Sequence, residues 1–537
     1  MLWVLKKSFL VSYSSNSTRT IMFCVSKSSL TSLVFLATIV CSILAVPAPE
    51  QFFHSQTVDH LNSDGPFGGE EYTQRYYTWE KEFLGPGHPI FVILGGEGSI
   101  PPERGLFYPF VTHYLAKSFG AFVLEPEHRF YGKSQPLGHS FRGIFQQSYH
   151  HHDPRAELFT SEQALHDAMN LLDHVRQELG CSSDRSSEAY CPVITVGGSY
   201  PGFLSALARI MFPDKVDMAY AASAPMLFYA QKVHQNNYYD HITKVAEKTK
   251  AGCANSVRSA LTEIKEQVLQ GNYNETSLGI CENTTPSYIQ TKETLWDELL
   301  MVVGYTFAND NMANYPPGNQ TRLYKACETF SCPNSCPFQK LRAFLTHRLS
   351  GGDQVTCWNM TQQLPTGANA TISSGDWSGV GTGKNGESWD FQTCTREVEA
   401  IGFSESSMFP SRPWSMDWLE KHCQDRFGVS PAPYDMVKQW KFDRLSETEV
   451  TKIIFTNGLN DGWSVGGFAS NLSESLPVLN FPNGAHHSDL SGRGPSKDDS
   501  EDIQEGFKTV TRILGDWLGE ISGSTGPTTN NVKILTN

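Results

Sequence analysis

Pro192-Val193-Ile194-Thr195-Val196-Gly197-Gly198-Ser199-Tyr200-Pro201-Gly202 reads as a short buried-type strand, a glycine turn, a lone serine and the start of a helix. The apolar stretch Phe203–Met211 continues that helix. A serine on so tight a strand-to-helix turn projects its hydroxyl above a sheet, and the next backbone N–H, that of Tyr200, is aimed at an oxyanion forming there. Small residues must flank it, because strand and helix approach closely. The usual pattern has glycine two positions after the serine. Here Pro201 stands there and Gly202 follows, and proline suits the first turn of a helix. Glycine-serine turns after strands are common, so Ser199 needs a base and an acid elsewhere before it reads as a nucleophile.

Working outward, Pro89–Leu94 is an apolar run ending in Gly95-Gly96-Glu97-Gly98, and Gly120–Leu124 leads to Glu127-His128-Arg129. Thr160–Leu179 has helical apolar spacing, with Thr160 or Ser161 as cap and Gly180 as stop. Val216–Ala222 reads as the next strand. Strands alternating with helices predict an α/β fold with a mostly parallel sheet. The pattern breaks near residue 226, where helix-like stretches such as Val257–Leu269 and Ser287–Val303 mix with glycine- and asparagine-rich loops. It resumes at Lys452–Thr456 and Pro477–Phe481 and closes with an amphipathic helix near Asp502–Leu518. The expected organisation is a signal peptide with an upstream extension over 1–48 and a first core part over 49–225. An inserted helical cap over 226–447, a second core part over 448–519 and a disordered tail over 520–537 complete it.

With 42 basic and 56 acidic residues in 537, the net charge of −14 excludes a general nucleic-acid binder. A composition that is 39% hydrophobic and 18% charged excludes a disordered chain. Near the N-terminus Lys27, the apolar run Leu33–Val46 and the small residues Ala45 and Ala48 form a signal-peptide pattern, with Met22 as an alternative start. No later run reaches the apolar length of a membrane span, so no stable anchor is expected after cleavage. Of the twelve cysteines, Cys24 and Cys41 fall in that signal, and the even remainder behind it predicts disulfides. Cys181 and Cys191 are near enough in sequence to staple one loop. Cys327, Cys332 and Cys336 offer metal-ligand chemistry, but an oxidising compartment favours disulfides, and no metal or cofactor is expected. Sequons at Asn274, Asn283, Asn319, Asn359, Asn369 and Asn471 predict glycosylation, concentrated in the inserted stretch. The expected location is the secretory pathway, ending extracellular or lysosomal (vacuolar). His150-His151-His152-Asp153 reads as a solvated loop, and Glu127-His128-Arg129 as an ion-paired structural element.

In folds where a serine sits on such a turn, the acid and base follow in the order Asp or Glu, then His. Strand Lys452–Thr456 leads into Asn457-Gly458-Leu459-Asn460-Asp461-Gly462-Trp463, which puts Asp461 on a loop at a strand's carboxyl end. Strand Pro477–Phe481 leads into Gly484-Ala485-His486-His487-Ser488-Asp489. The order is complete, but the residues alone do not separate His486 from His487.

These pieces, with Gln74-Arg75-Tyr76-Tyr77, Glu127–Gly132, Glu162-Gln163-Ala164-Leu165, Ala222-Ser223-Ala224-Pro225 and Trp389–Cys394, make the chain resemble one serine peptidase family. That family includes lysosomal Pro-Xaa carboxypeptidase, dipeptidyl peptidase II and thymus-specific serine protease. The resemblance implies an α/β-hydrolase core with a large, mostly helical inserted cap, and exopeptidase cleavage of proline-containing peptides. Peptides are the implied partners, and a homodimer is compatible with it. Carried over by position, Ser199 is the nucleophile, Asp461 the acid and His486 the base. The oxyanion donors would be the Tyr200 N–H and the loop around Gly96. Trp463 is a candidate pocket wall, and Glu97 a candidate contact for a substrate's free amine. Where the family usually has Asp-Pro-Trp this chain has Asp461-Gly462-Trp463, a looser loop around the acid. An esterase or lipase on the same fold and an inactive binding member are the competing readings.

Overall fold

The computed structural model describes residues 48–103, 105–138, 154–349, 356–362 and 386–523. The signal pattern over 1–47, His150–His152, Asn369 and the last fourteen residues lie outside them.

Eight strands form one sheet: β1 (Gln51–Thr57), β2 (Glu71–Trp79), β3 (Ile90–Ile93), β4 (Phe122–Pro126), β5 (Val193–Gly198), β6 (Met218–Ala222), β7 (Ile453–Gly458) and β8 (Val478–Phe481). Their order is β1-β2-β4-β3-β5-β6-β7-β8. β2 is antiparallel to both β1 and β4, and β3 to β8 run parallel with β4. β1 and β2 add a hairpin beyond the expected strands; both lack the continuous apolar run of a buried parallel strand. β3, β4, β5 and β6 are buried at every residue, as strands covered on both faces must be.

The two-residue period of a strand sorts side chains to two faces. Ile90 and Val92 join the cluster of Leu165, Leu172, Phe203 and Leu207. Phe91 and Ile93 join Phe507, Val510 and Leu514 on the other side. Those partners belong to helix α1 (Ser161–Leu179), helix α2 (Tyr200–Met211) and the C-terminal helix (Glu501–Ile521). α1 starts where Thr160 Oγ1 accepts the Gln163 N–H and stops at Gly180, whose φ of 70° is the left-handed end favoured by glycine.

Between β6 and β7 lies the inserted stretch. Helices α3 (Asn237–Thr249), α4 (Cys253–Gln270), α5 (Lys292–Met312), α6 (Arg322–Phe330) and α7 (Pro337–Leu349) surround their own apolar cluster, which includes Ile242, Leu261, Val303, Phe307 and Leu345. Cys253–Cys327 and Cys281–Cys357 close loops of 74 and 76 residues there and so restrict the unfolded chain strongly. Helices α8 (Gly386–Thr393), α9 (Met416–Phe427) and α10 (Asp435–Trp440) behave differently. Trp389 and Met436 pack into the α2 side of the core, and Phe391, Leu419 and Cys423 pack with Phe130 and Phe159. The insertion is therefore part cap and part extension of the core. The sheet order, the serine turn and the helical insertion are those of an α/β hydrolase with a cap.

Cys181–Cys191 and Cys394–Cys423 complete four disulfides. Disulfides form as expected, though not from all ten cysteines: Cys332 and Cys336 carry free thiols, and Cys327 is no metal ligand because Cys253 takes it. α5 also differs from its expected span of 287–303. Thr291 caps it one residue before Lys292, accepting the Thr294 N–H, and the helix runs on to Met312. That added length carries its C-terminus to the loops at the ends of β7 and β8. Among the described residues no helix is long and apolar enough to cross a membrane.

Candidate active site

Ser199 sits at the end of β5 with φ 67° and ψ −133°, a backbone rarely adopted by a residue with a side chain. Its N–H donates to the Ala222 carbonyl at 2.9 Å, which ties the turn to β6. The glycines around it are required by space. A Cβ at Gly197 would lie 2.0 Å from the Pro201 carbonyl oxygen, and one at Gly202 2.6 Å from that of Ala222. Pro201 fits the first turn of α2 without replacing an intrahelical bond. Tyr108, on a loop after β3, accepts the Gly198 N–H at 3.0 Å through its phenol oxygen.

Asp461 follows β7, wholly buried, and caps the short turn Gly462–Gly466. Its Oδ1 accepts the Trp463 N–H at 3.1 Å, and its Oδ2 bonds His486 Nδ1 at 2.5 Å. A proton on Nδ1 leaves Nε2 of His486 free to accept another. The His486 backbone N–H donates to the Met312 carbonyl at the end of α5. His487 is built differently. Its N–H donates to Ser223 Oγ at 2.9 Å, and its ring lies against Gly198, where a Cβ would come within 2.7 Å of it. Burial pushes its imidazole down to about 3, and the charge of His486 adds to that, so it stays neutral. Of the two adjacent histidines only His486 reaches the carboxylate. Ser199, Asp461 and His486 thus follow the carboxyl ends of β5, β7 and β8 of one sheet. Among the described residues no hydrogen bond joins Ser199 Oγ to His486, and such bonds commonly tighten only with substrate in place.

Tyr200, whose N–H is the expected oxyanion donor, is held by its side chain. The phenol meets His128 Nε2 at 3.0 Å, Ser161 Oγ at 3.1 Å and Gln392 Nε2 at 2.9 Å. His128 is buried and pushed down to about 4, mainly by desolvation. Its neighbours form the ion-paired element expected of them: Glu127 pairs with Arg75, and Arg129 with Asp167. Gly96 passes the elbow so closely that a Cβ there would lie 2.7 Å from Pro201 Cγ. Glu97 is half-buried in the same loop. Burial lifts the phenols of Tyr131, Tyr200 and Tyr229 well above the ordinary value, and the charges of Glu97 and Glu397 add to it. Trp463 is 3% exposed and packs its indole on Tyr238 and Phe228, 6.5 Å from the His486 ring centroid.

Asp390, Cys394 and His422 cluster at ligand spacing, but Cys394 is in a disulfide and Asp390 already pairs with His422 and Arg426. The trio is a structural ion-pair centre. Of the sequon asparagines within the described residues, Asn274, Asn283, Asn319 and Asn471 are exposed and Asn359 is half-buried. Sequence reasoning gave no role to Tyr108, Ser223, Asn311 or Gln392. Ser223 and Gln392 lay inside motifs already quoted for the resemblance. Nothing in the sequence marked the others.

Glu397 stands behind Ser161, and burial pushes its carboxyl up to about 7 from an ordinary 4.5. The folded protein therefore holds this proton more tightly than the unfolded chain. The associated stability is complete below about pH 4.5 and is lost as pH rises through about 7. His128 and His487 act in the opposite sense, costing stability as pH falls below their ordinary value of 6.5. Comparing Glu397→Gln with the native protein isolates the first effect. Urea midpoints measured from pH 4.5 to 8 should show the variant gaining on the native protein with rising pH, by about 3 kcal/mol at most. Parallel curves would contradict the assignment.

The family model described as serine carboxypeptidase S28 matches residues 56–509. Lysosomal Pro-X carboxypeptidase of Mus musculus is 27% identical over 82% of this chain and 83% of its own length. The Homo sapiens protein of that name is 26% identical over 88% and 89%. Thymus-specific serine protease of Mus musculus is 27% identical over 89% of each chain.

Proposed function

The chain belongs to the serine carboxypeptidase S28 family, and from that membership we propose that Ser199, His486 and Asp461 form the catalytic triad of an exopeptidase acting on proline-containing peptides. The observation that carries the triad is the 2.5 Å bond between Asp461 and His486, on strand ends beside the strained turn of Ser199. His486 Nε2 takes the Ser199 proton as Oγ attacks the scissile carbonyl. The tetrahedral oxyanion receives the Tyr200 N–H and an N–H of the Gly96 loop. His486 then passes the proton to the leaving amine, the C–N bond breaks and an acyl-enzyme remains. Water, deprotonated by His486, releases the acid product. Asp461 holds the imidazole tautomer and stabilises the imidazolium. The three side chains that hold the Tyr200 phenol keep its N–H aimed, so oxyanion stabilisation needs no rearrangement during the reaction.

Trp463, buried on Tyr238 and Phe228 with its ring centroid 6.5 Å from that of His486, backs the apolar wall against which a pyrrolidine ring would sit. Glu97, half-buried on the Gly95–Gly98 loop that passes the elbow, brings a carboxyl group to this end of the site. That favours a substrate's free α-amine over a terminal carboxylate, hence release of N-terminal dipeptides. The names of the relatives support the other direction, removal of a C-terminal residue that follows proline. Two substrate sets decide: Xaa-Pro reporters with free or acylated amines, and peptides ending in Pro-Xaa. The dipeptidyl reading expects turnover of free-amine reporters only, and about a tenfold rise of KM for them in Glu97→Gln. Turnover of the Pro-Xaa set alone would replace it with the carboxypeptidase reading.

Family membership leaves the esterase or lipase reading without support, and the Asp461–His486 bond speaks against an inactive member. Four disulfides fit passage through the secretory pathway, and the lysosome or the cell exterior is the proposed destination. The exposed sequons fit glycosylation on that route.

A further inference from the structure

The loop that carries Asp461 is held from the cap rather than from the sheet alone. At the last turn of α5, Asn311 is wholly buried and uses both ends of its amide. Its Nδ2 donates to the Asn460 carbonyl at 2.8 Å, and its Oδ1 accepts the Gly462 N–H at 2.8 Å. The two peptide groups on either side of Asp461 are therefore fixed by one side chain. The next residue, Met312, offers its carbonyl to the His486 N–H. α3 closes the other side: Lys248 Nζ donates to Asn460 Oδ1 at 3.0 Å. A Cβ on Gly462 would lie 2.8 Å from Tyr238 Cε2 and 3.0 Å from Ile242 Cγ1. Glycine at 462 thus admits the cap helix, and its backbone N–H is the hydrogen that Asn311 captures.

We propose that Asn311 is a positioning residue for the triad: from the cap, it fixes the peptide groups flanking Asp461 and so sets the carboxylate against His486 Nδ1. The inserted stretch then completes the catalytic geometry as well as covering the site. Its effect passes through Asp461, so it belongs to the chemical step rather than to substrate binding. The inference rests on the triad reading above.

Asn311→Leu keeps the shape and removes both bonds. Asn311→Asp keeps the acceptor for Gly462; when ionised it has no hydrogen for the Asn460 carbonyl, and when neutral its O–H supplies one. Both variants, the native enzyme and Ser199→Ala are assayed on the reporter that the native enzyme turns over, across its active pH range. In Asn311→Leu, kcat falls by about 10- to 100-fold with KM changed less than threefold. In Asn311→Asp the ratio of variant to native kcat climbs as pH is lowered, which a purely structural residue would not produce; this arm stands even if the leucine variant does not fold. Native kcat in Asn311→Leu, a loss confined to KM, or a pH-independent ratio in Asn311→Asp would overturn the proposal. Turnover surviving Ser199→Ala would overturn the triad and this inference together. A dead Ser199→Ala beside a native-like Asn311→Leu removes this inference alone.

Discussion

Ser199→Ala lowers kcat by on the order of 10⁶-fold and leaves the urea midpoint of the protein unchanged. Both halves follow from the local geometry. The backbone of Ser199 is bonded, its N–H to Ala222 and its carbonyl to the Phe203 N–H. Its Oγ makes no hydrogen bond among the described residues, so removing the oxygen removes no contact of the fold. Alanine at φ 67° is as strained as serine, and the turn keeps its shape. Without the oxygen there is no acyl-enzyme. What remains is the residual acceleration from substrate binding and the oxyanion donors, as when a triad loses a member. Steady-state kinetics with a Xaa-Pro or Pro-Xaa substrate and a denaturation curve on the same preparation test both halves. A loss of stability alongside activity would mean that Ser199 serves the fold.

Asp461→Asn should lower kcat by on the order of 10⁴-fold. The reason is the set of donors around the carboxylate. Oδ1 receives the Trp463 N–H and Oδ2 receives the His486 Nδ1–H. An asparagine has one acceptor and one donor to meet those two donors. If its oxygen stays with Trp463, its amide N–H faces Nδ1 and drives the imidazole proton to Nε2, where it blocks acceptance from Ser199. If it flips, two donors collide at Trp463 N–H inside a fully buried site. The first arrangement is favoured, and it carries the wrong tautomer. The expected signature is a large fall in kcat with KM little changed. A variant within tenfold of native activity would mean that Asp461 does not orient the base.

The core was legible in the sequence because its strands are continuous apolar runs and its helix ends carry ordinary signals. Thr160, one of the two cap candidates, caps α1, and Gly180 stops it where the pattern placed the stop. Ser199 was legible because glycines and proline crowd one turn for steric reasons that local sequence records. Asp461 was legible as a loop residue after a strand. The choice between His486 and His487 was not, because it depends on which ring reaches a carboxylate across 25 positions of chain and which lies against Gly198. β1 and β2 escaped because polar residues interrupt them: Gln56 in β1 and Gln74 and Arg75 in β2 are buried yet break the apolar run that marks a buried strand. The end of α5 escaped for another reason: Asn309, Asp310 and Asn311 are polar residues that read as a helix stop, yet Asp310 and Asn311 are buried. Asp310 pairs with Arg348 of α7, and Asn311 takes the acid's loop. Gly462 looked like a loosening of that loop. Its partner lies 151 positions away, where no local pattern could show it.

If Ser199 carries the acyl group, its activated oxygen can be trapped. The purified enzyme is treated with a fluorophosphonate, whose phosphorus is attacked by an activated serine oxygen with loss of fluoride, and the adduct is located by peptide mass spectrometry. One adduct per chain on Ser199, formed in step with loss of peptidase activity and absent from Ser199→Ala, is the predicted result. An adduct on another residue that tracks inactivation, or full inactivation with Ser199 unmodified, would contradict it.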